Sequence, residues 1–140
     1  MINKFHEIKS WKVKSKIIET IASIYTIIIG IAMLCMWIFL LGKKEVPELA
    51  TKPTQISFHL IAEFLTSVML VIGGIGLFTD QSWGITIFYI SIGMVLYSTI
   101  NAAGFYGQLK DWPMFIMLLV FTMVSFLIVI LLILVEYQIL

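Results

Sequence analysis

Arginine is absent from this chain, and all nine basic side chains are lysines. Without the guanidinium fork, a site built on bidentate clamping of phosphate or carboxylate is argued against. Charge of either sign is scarce: 12% of residues are charged and the net charge is +1, against about a quarter charged in a soluble domain. No basic stripe with interleaved aromatics exists, so no nucleic-acid partner is expected. The single cysteine, Cys35, lies inside an apolar run; it allows neither an internal disulfide nor a cysteine-based metal site, and reads as a small packed residue. Of the two histidines, His6 falls outside the long apolar segments, which excludes a b-type haem with both axial ligands from one chain. One histidine, one carboxylate and an asparagine are too few for a closed zinc site, so no metal is expected. A nucleophile–base–orienter set and a phosphate-cradling glycine loop are also missing. Binding is therefore expected rather than catalysis, with no catalytic residue to name.

What the chain has in excess is apolar surface. It is 61% hydrophobic with a mean hydropathy of +1.06, more than water can solvate on so short a chain, and lipid is the plausible solvent. Four apolar segments, residues 17–42, 55–79, 84–107 and 112–136, each reach the ~20 residues needed to cross a hydrocarbon core. The connections are short: about a dozen residues with Pro47 and Pro53, then tight turns at 80–83 and 108–111. Short connections force neighbouring helices antiparallel. The expected fold is an all-α membrane protein, four transmembrane helices in an up-down-up-down bundle. Residues 17–140 form its single domain, and residues 1–16 a basic segment that is cytoplasmic or lies on the membrane interface.

Local signals mark the helix starts. Asp111 before Trp112 and Pro113 reads as an N-cap with proline in the first turn. Asp80 could cap the third segment, and Thr51 or Thr54 beside Pro53 could open the second. Lysines set the orientation. Lys4, Lys9, Lys12, Lys14 and Lys16 stand against one acid, Glu7, in the first 16 residues, so this end and the C-terminus are expected in the cytoplasm. Lys43, Lys44, Lys52 and Lys110 then face outward. Trp11 and Trp83 fall near one interface, and Trp37 and Trp112 near the other, as an aromatic belt does. The apolar run of the first segment is too long for a secretory signal. The whole reads as a multi-pass protein of a cell membrane, a prokaryotic inner or plasma membrane.

Ionisable side chains deep in a span cost about 2.5–3.5 kcal/mol at helix centre, so each one calls for a reason. His59 and Glu63 are the two, four residues apart on one face of the second segment, with Thr66 on the same face. The third segment runs the other way and brings Tyr97, Ser98 and Asn101 to nearly the same depth, in the outer half of the membrane. Tyr25, Thr26 and Thr122 add polarity near mid-depth. Three readings compete for this cluster. It could bind a small molecule or lipid, a quinone among the candidates. It could be a packing cluster in an accessory subunit of a membrane complex, its members bonding one another. It could serve a proton-coupled small transporter using Glu63. The small residues Ala22, Thr26 and Gly30, and Gly73, Gly74 and Gly76, suit close helix packing, within the chain or in a homodimer.

Residues 58–76, FHLIAEFLTSVMLVIGGIG, and residues 83–106, WGITIFYISIGMVLYSTINAAGFY, look like a small prokaryotic four-helix membrane family without assigned function. The acid followed by GGIGL in the second segment, with a mid-segment glycine in the third, also resembles DoxX-like proteins. That resemblance covers the second and third segments and implies a four-helix protein of a kind sometimes associated with quinone-linked redox complexes.

Overall fold

A computed structural model describes residues 2–44, 46 and 48–137, with the side chains of 2–10 and 48–49 left aside. Pro47 and the side chains of Lys4, Phe5, His6, Glu7, Ile8 and Lys9 therefore lie outside the described residues. The elements are α1 (Ile2–Gly42), α2 (Glu48–Thr51), α3 (Pro53–Phe78), α4 (Gly84–Gln108) and α5 (Trp112–Glu136). Helix is the form that satisfies every backbone donor and acceptor within one segment where no water is available. Four of these helices are long and apolar enough to cross a membrane. The four expected spans match α1, α3, α4 and α5 to within two residues at every boundary but one.

That boundary is the start of α1. The basic segment has no helix of its own, because α1 runs unbroken through it for 41 residues, about 60 Å at 1.5 Å per residue. No proline or glycine falls between residues 2 and 29, so nothing in the chain stops helical hydrogen bonding at residue 16. The short α2 in the first connection was not expected.

The long helices form a ring in which α1 packs on α3, α3 on α4, α4 on α5, and α5 on α1. Consecutive helices are antiparallel. Lys16 of α1 forms an ion pair with Asp80 beyond α3, and Tyr89 of α4 donates to Glu136 of α5 at 3.2 Å. These contacts gather α1 near Lys16, the α3–α4 turn and the end of α5 at one end, called here the proximal end. Glu19, at the same end, accepts a hydrogen bond from Ser15.

Small residues decide how closely the helices approach. A Cβ on Gly74 would lie 2.6 Å from the Thr26 hydroxyl, and one on Gly30 would lie 2.8 Å from the Ser67 carbonyl oxygen. Thr26 and Gly30 thus lie on the α1 side of the contact with α3, together with Ser23 and Ile27. At the proximal end α3 and α4 touch backbone to backbone: a Cβ on Gly84 would lie 2.3 Å from the Gly76 carbonyl carbon. Leu70, Phe88, Ile92, Val95 and Leu132 fill the remaining core. Buried hydroxyls are met inside the bundle. Ser67 donates to the Glu63 carbonyl, Tyr25 bonds Ser125 at 2.8 Å, and Thr122 bonds Thr99 at 2.9 Å.

The turns use less common chemistry. Asp111 caps α5 as expected, accepting from the Met114 amide at 3.3 Å. Asp80 does not cap α4, whose N-cap is Trp83, and neither Thr51 nor Thr54 caps α3, whose N-cap is Lys52. Asp80 instead adopts φ 55° just after α3. There its amide bonds the Leu77 carbonyl while the Gln81 amide bonds that of Gly76. This paired closure, the Schellman motif, normally takes glycine at that position. Lys110 repeats it after α4 with φ 58°.

Candidate functional site

Going inward from its distal start at Pro53, α3 reaches Glu63 after ten residues, about 15 Å. Going inward from its distal end at Gln108, α4 reaches Ser98 after the same ten. Antiparallel packing sets the two side by side, and the Ser98 hydroxyl donates to Glu63 Oε1. From α1, Trp37 Nε1 donates to Oε2 at 3.4 Å. Glu63 is 6% exposed, with one neutral donor on each carboxylate oxygen. The carboxylate is thus hydrogen-bonded, as a buried polar group must be, yet no cationic side chain among the described residues pairs with it.

A cavity of about 360 Å³ opens beside this carboxylate, between α3 and α4. His59, Ala62, Glu63 and Thr66 line it from α3, at the i, i+3, i+4, i+7 spacing of a single helix face. Ile90, Gly93, Met94, Tyr97, Ser98 and Asn101 line it from α4 in the same manner. All six polar residues singled out by the sequence, His59, Glu63, Thr66, Tyr97, Ser98 and Asn101, therefore face one space. Its lining contains no lysine, and a Cβ on Gly93 would meet nothing within 4 Å.

The bonding pattern differs from that of a cluster whose members all bond one another. His59, Tyr97 and Asn101 are exposed and make no side-chain hydrogen bond among the described residues. The Thr66 hydroxyl is used by its own helix, donating to the Ala62 carbonyl at 2.7 Å. The glutamate is instead held by Ser98 and Trp37. Trp37 is the residue that sequence reasoning assigned elsewhere, to the interfacial belt. Its indole turns inward, donates to Glu63, and meets the His59 ring edge-on with centroids 5.8 Å apart. The available signal was its depth: Trp37 lies five residues before the distal end of α1, at the level of His59 on α3. Tyr25, Thr26 and Thr122 lie away from the cavity, bonded to Ser125, to the α1 backbone and to Thr99.

No curated protein and no solved structure matches the chain, and no DoxX relationship is shown for it. The match that exists begins at Lys16, close to where the basic segment gives way to the first apolar run, and extends through all four spans. Over residues 16–140 the chain fits the family described as Domain of unknown function (DUF8058), and it belongs to that family.

Proposed function

We propose that this protein binds an amphipathic small molecule or lipid in the groove between α3 and α4. The distal end of the bundle is taken to face outward, so that the site lies in the outer half of a prokaryotic cell membrane. The observation that carries this reading is the 360 Å³ cavity faced by every polar residue of the α3 and α4 cluster. Its volume is within the range of small-molecule sites, roughly 300–1,000 Å³. Its lining has the usual division of labour, with Ile90, Gly93 and Met94 for an apolar body and a few convergent polar groups for a head. His59, Tyr97 and Asn101 retain hydrogen-bonding capacity that hydrocarbon cannot meet.

Native mass spectrometry with an absorption spectrum, on protein extracted gently from its own membrane, tests the reading. A stoichiometric small molecule or lipid, a quinone included, that is lost in Glu63→Gln supports it. Bare protein from both chains would sink it.

A second reading has one observation in its favour. Both Glu63 oxygens already accept hydrogen bonds from other helices, which is what a polar cluster serving packing in an accessory subunit needs. Under that reading Glu63→Gln and Ser98→Ala lower thermal stability, and the protein leaves the membrane with a partner chain rather than a ligand.

A further inference from the structure

We infer that the molecule this groove takes is a lipophilic organic cation, an ammonium-like charge carried on an apolar body. The inference rests on the pocket reading above and adds the sign of the charge. Glu63 is buried about 15 Å along α3, and its two hydrogen-bond donors, an indole N–H and a hydroxyl, are both neutral. They stabilise a carboxylate through hydrogen bonds but bring no opposite charge to it. Charges buried in protein are paired or coordinate metals. The ion pair that exists among the described residues, Lys16–Asp80, lies at the proximal end, away from the groove.

The same imbalance dictates what would fit. An anionic head would meet an acid and no lysine or arginine, whereas a cation would supply the missing charge. An ionised carboxyl group has about four acceptor positions, so Glu63 can still accept from a ligand while Ser98 and Trp37 hold it in place. Tyr97, 75% exposed, lines the groove with an aromatic ring, a group to whose face organic cations are attracted. The open space beside Gly93, with Ile90 and Met94, accepts the apolar body. Calcium is a poor match, because it takes 6–8 oxygen ligands and the groove offers one carboxylate and one amide beside an imidazole and hydroxyls.

The test uses three probes of related shape: tetraphenylphosphonium, tetraphenylborate and neutral triphenylphosphine oxide. Each is measured by equilibrium dialysis against the full chain in zwitterionic nanodiscs, with uptake by empty nanodiscs subtracted. The expected result is saturable one-to-one binding of the phosphonium and none of the borate. Glu63→Gln, which removes the charge but keeps one acceptor oxygen and presents an amide N–H that a hydroxyl such as Ser98 can accept, should weaken the phosphonium about tenfold or more. Gly93→Leu, which fills open space, should abolish it, with helical circular dichroism unchanged in both variants. Phosphonium binding that is indifferent to Glu63→Gln overturns the inference. If the borate or the neutral probe binds equally well and is lost in Gly93→Leu, the charge assignment falls while the pocket stands. If no probe binds saturably and Gly93→Leu is inert, both fall.

Discussion

The contact between α3 and α4 at Gly84 is the most sharply testable feature of the fold. A Cβ added there would lie 2.3 Å from the Gly76 carbonyl carbon and 2.5 Å from the Leu77 amide nitrogen. Ordinary contact begins near 3.4 Å, so the helices must separate by about 1.1 Å at their proximal end. The obstructing atoms are backbone, and no rotamer change relieves them. Forcing extra volume into a packed interior typically costs about 1–3 kcal/mol. Gly84 is the first residue of α4, so the helix-propensity gain of alanine, up to about 1 kcal/mol in a helix interior, offsets little of it. Gly84→Ala should therefore lose about 2–3 kcal/mol. Gly76→Ala supplies an internal comparison: its Cβ meets the Trp83 ring at 2.3 Å and the Gly84 Cα at 2.9 Å. The indole is 43% exposed and free to swing outward, and the backbone overlap is less severe than at Gly84, so the loss should be smaller. Gly93→Ala meets nothing and should be neutral or slightly stabilising. Reversible unfolding in mixed micelles by SDS titration, followed by circular dichroism, gives all three values. Equal stability of Gly84→Ala and Gly93→Ala would refute the claim that these two backbones touch.

Lys110→Gly removes a side chain from a left-handed backbone position that costs L-residues about 1–2 kcal/mol, and should raise stability by about 1 kcal/mol in the same titration. Trp37→Phe keeps most of the ring but deletes the donor to Glu63. A loss of about 1 kcal/mol is expected, together with a changed affinity for any co-purified ligand; no change in either would remove Trp37 from the site. Orientation is checked in a Cys35→Ala background with single cysteines. In intact cells, Thr51→Cys should react with a membrane-impermeant maleimide and Ser82→Cys should not, and the reverse pattern inverts the topology.

Number, length and order of the spans were legible in the sequence because hydrocarbon imposes a one-dimensional rule. Each segment must be apolar for about 20 residues and must meet its own backbone hydrogen bonds, and both requirements are local. The depth match between the α3 and α4 polar residues was legible for the same reason: rise per residue is constant and short connections make neighbours antiparallel. The α5 cap was readable from Asp111 and Pro113, which act within one turn. The caps at Asp80 and Thr51 or Thr54 were misread, because the same residue types suit several turn geometries. At Asp80 the closure of α3 and the ion pair with Lys16, 64 residues away, draw the side chain elsewhere.

Rotation about each helix axis is what the sequence left open, and it depends on long-range packing. Glycines at 30, 74, 76 and 84 let the backbones close at particular crossings, and those crossings turn Trp37 toward Glu63 instead of toward the interface. The same rotation gives Ser98, rather than Tyr97 or Asn101, the bond to the carboxylate, and leaves His59, Tyr97 and Asn101 without a side-chain bond among the described residues around an open groove. Composition and periodicity alone determined that this protein is a four-span bundle with polar residues at one depth. Only the tertiary structure decided which of them bond one another and which face the cavity, because a helix holds its residues at set heights while only its neighbours set its angle.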